Sequence, residues 1–142
     1  MADQRQAAEV IAAQCMALRV RRLGRKMTRI YDDALRPHGI TIAQLNLLTA
    51  IGVSASISPG VLSAGLELEK SSLSRNVAKL VAREWVRSET ARGGGLALSL
   101  TAKGRRLLAK AQPDWEAAQR QARRLMNSRL ASALASLPPH QR

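Results

Sequence analysis

Apolar positions recur at helical spacing along most of the chain. Met16, Val20, Leu23, Met27, Ile30 and Ala34 step by four, three, four, three and four residues, which lays one apolar stripe along a helix over 6–36. Pro37, with Gly39 after it, stops that helix. Thr41 is placed to cap a second helix from Ile42 to Ile51, with Leu45, Leu48 and Ile51 inward and Gly52 ending it. A loop over 53–57 holds at most a short strand at Ile57. Ser58-Pro59 then marks the start of a brief third helix to about Leu66. After a tight turn from Glu67 to Lys70, a fourth helix is expected from Ser71 to Arg83. It carries Leu73, Val77, Leu80 and Val81 on one face and Ser72, Arg75, Asn76 and Lys79 on the other.

The period then changes from helical to alternating. Trp85–Glu89 and Leu96–Leu100 read as two short strands joined by a Gly-rich turn. Thr101 caps a long helix that runs to about Met126, with Pro113 expected to kink it. Ser128 opens a last short helix with Leu130, Leu134 and Leu137 on one side, and Pro138-Pro139 end it. The pattern predicts a mainly α chain with a small β wing. It forms a single domain over 1–142, with winged helix-turn-helix segments over 40–100 and flanking helices over 6–36 and 101–137. The first helix is too long for its own chain to cover, and the terminal leucines also need cover, so both point to a partner subunit.

Charge narrows the function. Lys and Arg number 23 against 10 Asp and Glu, a net charge of +13. Such self-repulsion weakens a compact fold and favours a polyanionic partner. No run of about 18 apolar residues is present, the length a membrane helix needs. Asp3 and Glu9, with no apolar core near the start, argue against a secretion signal, and the single cysteine fits a reducing cytoplasm. Enzymatic sites find no support: the only histidines, His38 and His140, lie far apart, and no metal set, nucleophile–base pair or phosphate loop can be read. Gly93-Gly94-Gly95 lacks the Lys-Ser/Thr of a phosphate loop and reads as a flexible tip. No cofactor is expected.

A short helix, a tight turn and a second helix with a polar outer face form a helix-turn-helix pattern. The second helix must enter a groove about 12 Å wide, so its outward side chains are small or extended donors. Ser71, Ser72 and Ser74 let the backbone approach phosphates, and Ser71 serves equally well as a helix cap. Arg75 suits a guanine edge, Asn76 an adenine edge and Lys79 a phosphate. Arg87 and Arg92 flank the tip of the hairpin, where a narrow minor groove concentrates negative potential. The arginines of the first helix read as a solvated face that strengthens the long-range field.

The stretch from Leu35 to Ala109 resembles the core of the MarR family of winged helix-turn-helix transcription regulators. The resemblance is carried by Leu35-Arg36-Pro37-His38-Gly39-Ile40-Thr41 with Gln44 and by Lys70-Ser71-Ser72-Leu73-Ser74-Arg75. The run Leu80 to Val86 and the closing Ser99-Leu100-Thr101-Ala102-Lys103-Gly104 complete it. Leu18 to Tyr31 is similar to the family's first helix, and Trp115 to Gln119 suits its dimerisation helix. Three positions depart from the pattern. Arg92, Gly93 and Gly94 stand where the family often has Asp-x-Arg, so the wing arginine lacks an acidic brace. Glu67 and Glu84 stand where glycine or another residue tolerant of left-handed backbone is common.

The resemblance implies a homodimer that reads a palindromic DNA operator, a repressor relieved by a small-molecule effector. It also implies an effector pocket that Met27, Tyr31, His38, Leu48 and Trp115 are placed to line, although each of them also reads as ordinary core. A second reading makes Cys15, near the start of the first helix and one turn from Arg19, an oxidant sensor. Against it stands the usual role of a lone helical cysteine as a small buried hydrophobe. A third makes the chain a structural protein that binds DNA through charge alone.

Overall fold

Thr41 fixes the start of the helix around which the rest of the chain packs. In the computed structural model, which describes residues 2–137, the Thr41 hydroxyl accepts from the Gln44 amide at 3.2 Å. The Gln44 side chain accepts from the Thr41 amide at 3.1 Å. Asp32, reaching across from the preceding helix, accepts from the Ile42 amide at 2.7 Å. Three of the donors that a helix start leaves unpaired are therefore satisfied. The helix so begun, α3 (Ile42–Val53), buries Leu45, Leu47, Leu48, Ala50 and Ile51. These five side chains make α3 the centre of the apolar core, while Ala43, Asn46, Thr49 and Val53 stay exposed.

Three helical elements precede α3: α1 (Ala2–Gln14), α2 (Met16–Leu35) and a single 3₁₀ turn, Arg36–His38, that holds Pro37. Gly39 closes this turn at φ 70°. The expected single helix over 6–36 is thus two. The break falls at Cys15, whose backbone is extended at ψ 107°, and the Arg19 guanidinium donates back to the Ala13 carbonyl beside it. Val10 and Ile11 on α1 are exposed, so no tertiary packing holds α1 in line with α2.

After α3 come α4 (Pro59–Gly65), α5 (Lys70–Ala82), the hairpin β1 (Val86–Thr90) and β2 (Leu96–Leu100), then α6 (Ala102–Arg123) and α7 (Ser128–Ala135). The strands are antiparallel, with Val86 opposite Leu100 and Ser88 opposite Leu98. On the other side of β2, Ile57 makes a bridge to Leu98. The fold is mainly helical with a two-stranded wing, as the hydrophobic pattern predicts. Gly52 lies within α3 and does not end it. Its bare backbone admits Leu100, whose Cδ1 would meet an added Cβ at 2.7 Å. Pro113 is accommodated inside a continuous α6. Pro138, Pro139 and His140 lie outside the described residues.

The wing is bolted to α6 at one point. Thr101 caps α6 through the Gly104 amide at 3.0 Å, and its hydroxyl donates to the Glu84 carbonyl at 2.6 Å. Its amide donates to the Trp85 carbonyl at 3.1 Å. Gly104 sits so close to this corner that an added Cβ would fall 2.2 Å from the Trp85 carbonyl oxygen. Backbone, not a flexible side chain, occupies that space.

Two outcomes follow from these corners. Gly104→Ala should destabilise the fold by about 1–3 kcal/mol or more, since an overpacked backbone cannot step aside; urea unfolding measures it. Glu67 holds φ 52° with a full side chain, so Glu67→Gly should raise stability by roughly 0.5–1 kcal/mol in the same assay.

Candidate nucleic-acid interface

The polar side of α5 carries the groups that sequence spacing singles out. α4 and α5 are joined by a turn in which Glu67 takes left-handed backbone and the Ser63 hydroxyl donates to the Leu68 carbonyl at 2.6 Å. α5 then starts at Lys70, one residue before its expected start. Its cap position is Glu69, which makes no side-chain cap bond. Ser71 is therefore not the cap; it lies in the first turn. The first amides of α5 keep their hydrogens available, and the helix dipole adds partial positive charge there. Lys70, which pattern reading left in the turn, adds a full charge at the same end.

Ser71, Ser74, Arg75 and Lys79 are exposed, while Leu73 and Leu80 on the opposite side are buried. Ser72 and Asn76 are half-buried, and the Asn76 amide donates to the Ser72 carbonyl at 3.0 Å. Asn76 must release that bond before it can pair with anything else. Arg87 and Arg92 are exposed on the hairpin, Arg87 with Glu89 at 3.6 Å across open solvent. Such a surface pair is weak and yields readily to a stronger anion. The tip that follows Arg92, Gly93 to Gly95, has φ of 90°, 93° and 80°, a run only glycine adopts without strain. A groove of about 470 Å³ separates α5 from the wing, lined by Leu73, Val77, Val81, Leu96 and Leu98 among others.

The far end of α5 is braced. Arg83 lies over the Trp85 ring at 5.1 Å and donates to the Gly39 carbonyl at 3.1 Å. Glu84 turns the chain at φ 60° and meets Lys103 at 3.2 Å. No local spacing signals the Arg83–Gly39 and Glu84–Lys103 contacts, because their partners lie 44 and 19 residues away.

The residues implied for an effector pocket stand in different surroundings. Leu48 lies in the core and Met27 is half-buried on α2. The Tyr31 hydroxyl donates to Gln119, and His38 meets Asp114 at 2.6 Å, so both tie the start of the chain to α6. Burial pushes the Tyr31 hydroxyl above its ordinary value, opposed in part by the Arg123 charge. Trp115 lines an open groove, about 380 Å³ between α3 and α6, with Leu45, Asn46, Thr49, Leu108 and Gln112. Cys15 is half-buried at the α1–α2 break. Among the described residues, no three His, Cys, Asp or Glu gather as metal ligands, and no helix is long and apolar enough to cross a membrane.

A family model described as MarR family matches residues 38–95, from the 3₁₀ turn to the wing tip. The M. tuberculosis transcriptional regulator MosR is 30% identical, with 87% of this chain and 93% of MosR covered and a TM-score of 0.76. The chain belongs to the MarR family. Its fold is shared with a mutant MarR from E. coli complexed with operator DNA, at TM-score 0.80 and 22% identity over 89% of this chain and 93% of that one. It is also shared with Bordetella bronchiseptica BpsR, whose DNA binding is regulated by 6-hydroxynicotinic acid, at TM-score 0.77 and 18% identity over 88% and 92%. No curated protein matches the chain. Within this MarR-family chain α5 occupies the second helix of the helix-turn-helix, and β1–β2 the wing.

Tyr31 is the single tyrosine, so its titration can be followed alone by phenolate absorbance. Its raised pKa means that its hydrogen-bonded form stabilises the fold fully below about 10.0, and that this contribution is lost as pH rises through the folded-state value. Tyr31→Phe should cost about 0.5–1.5 kcal/mol at neutral pH and should remove that alkaline loss, as urea unfolding at several pH values would record.

Proposed function

We propose that this protein is a sequence-specific DNA-binding transcription regulator that works as a homodimer in the cytoplasm. It acts by binding rather than by catalysis, and represses until a small molecule releases it. The observation that carries this reading is the outer face of α5. Exposed Ser71, Ser74, Arg75 and Lys79 stand beside an uncapped helix start, next to a wing that bears Arg87 and Arg92. Every group on that face is a donor or a cation, which suits phosphates and the acceptor-rich edge of guanine. Ser72 and Asn76 complete the set after the Asn76 amide turns outward.

The dimer reading draws on unpaired apolar surface at the two ends of the chain. Met16 and Val20 on α2 are exposed, as are Leu130 and Leu134 on α7 and Leu125 and Leu137 beside it. A symmetric partner using the helices over 6–36 and 101–137 would cover both at once. Two winged segments over 40–100 would then face successive major grooves. The operator complex of the E. coli relative lends the DNA, and the 6-hydroxynicotinic acid response of BpsR lends the effector.

The effector would act by favouring one spacing of the two α5 helices over another, which requires unequal affinity for the two dimer states. The groove between α3 and α6 beside Trp115 is the entry we favour. It adjoins both the core of the reading head and the long helix that would carry the dimer contact.

Selection from random duplexes should yield a palindrome of about 16–20 base pairs, with half-sites one or more helical turns apart. Arg75→Ala should weaken binding to the selected site by about 1–3 kcal/mol and blur one position of each half-site. An unchanged preference profile in the variant would remove α5 as the reading element.

A further inference from the structure

Six of the eleven residues from 19 to 29 are basic: Arg19, Arg21, Arg22, Arg25, Lys26 and Arg29. All six are exposed. Helical spacing puts Arg21, Arg22, Arg25 and Arg29 on the side of α2 turned away from half-buried Leu23, Met27 and Ile30, with Arg19 and Lys26 beside that apolar stripe. No carboxylate pairs with any of them among the described residues. The only acids of α2 are engaged elsewhere, Asp32 with the Ile42 amide and Asp33 with Arg36. Arg21 and Arg25, Arg22 and Lys26, and Arg25 and Arg29 stand four apart, the spacing at which like charges destabilise a helix. Gly24 leaves an open trough of about 460 Å³ among Arg21, Arg25, Thr28 and Arg29. A second, of about 400 Å³, lies between Arg22, Arg25, Lys26 and Arg29.

The occupant can be argued by elimination. A second copy does not fit, because a symmetric contact sets this face against itself, and a chain with 10 acids among 23 bases has little acidic surface to offer. A lipid surface fits poorly too. A membrane-lying helix inserts its apolar side, and between Leu23 and Ile30 that side of α2 is half-buried, with α6 packed on the helix. A nucleic-acid duplex offers one negative charge per ~1.7 Å of axis without any apolar demand, and eleven helical residues span about 15 Å. Guanidinium groups meet phosphates with two parallel bonds.

We infer that the outer face of α2 is a second, sequence-independent surface for duplex DNA, gripping phosphates only. It is carried by a different helix from the reading face of α5, and α3 packs against both. A dimer engaged through α5 would keep two such faces for a neighbouring stretch of DNA. This goes beyond operator reading and does not depend on it.

The test uses the full chain with Arg22→Gln, Arg25→Gln, Lys26→Gln and Arg29→Gln together, beside a separate Arg75→Ala, Lys79→Ala variant. The probe is a random-sequence duplex of about 40 base pairs, titrated across salt. The α2 variant should bind it about tenfold more weakly, with the slope of log affinity against log salt reduced by about 3–4 per protomer. The α5 variant should keep most of that slope. Restoring charge with Arg22→Lys, Arg25→Lys and Arg29→Lys should restore the slope. If circular dichroism shows the four-site variant unfolded, Arg22→Gln with Arg29→Gln should still remove about half of the change. An unchanged slope in a folded variant overturns the inference. So does loss of binding to phosphatidylserine-containing vesicles with duplex binding intact, which would assign the face to anionic membranes. Failure to select any operator would sink the proposed regulator and leave this result standing.

Discussion

The corner where Trp85 meets Gly104 governs how the rest of the molecule is held. There the end of α5, the start of β1 and the first turn of α6 pass within van der Waals distance, backbone against backbone. Thr101 makes three hydrogen bonds at this point, to the Gly104 amide, the Glu84 carbonyl and the Trp85 carbonyl. Such contacts cannot slide as side chains do. Movement of α6 is therefore passed to the wing and to the C-terminal end of α5 nearly undiminished. The proposed change in spacing of two reading heads would draw on a rigid coupling of this kind, since packed cores switch between arrangements and do not stretch.

A second tier of ties joins α2 and the 3₁₀ turn to α6. Tyr31 bonds Gln119 and His38 bonds Asp114, one helical turn and a half apart along α6. Asp32 at the same end of α2 holds the first amide of α3. One short stretch, residues 31 to 38, thus anchors both the buried helix and the long one. Tyr31 and His38, two of the residues that a pocket reading groups by family position, are engaged in those ties, and an open groove lies beside a third, Trp115.

Local chemistry made much of this legible. Thr41, Ser58 and Thr101 cap helices where spacing places them, because a cap is decided by residues three apart. The serine-arginine face of α5 was readable for the same reason. Two kinds of feature were not. Gly52 reads as a helix stop by propensity, yet tertiary packing against Leu100 keeps it inside α3. The break at Cys15 is invisible in a regular apolar stripe, since it arises from what α1 lacks to pack against. The Arg83–Gly39 and Glu84–Lys103 contacts bridge distant segments, and no periodicity encodes them.

Strand β1 has β2 on one side only. Its free margin is five residues long, and Arg87 and Glu89 occupy alternate positions along it. Charged, short margins of this sort refuse a further strand. Two wings brought side by side on a crowded polymer would consequently stay separate ribbons, and the protein can be concentrated on its target without stitching neighbouring molecules into a continuous sheet.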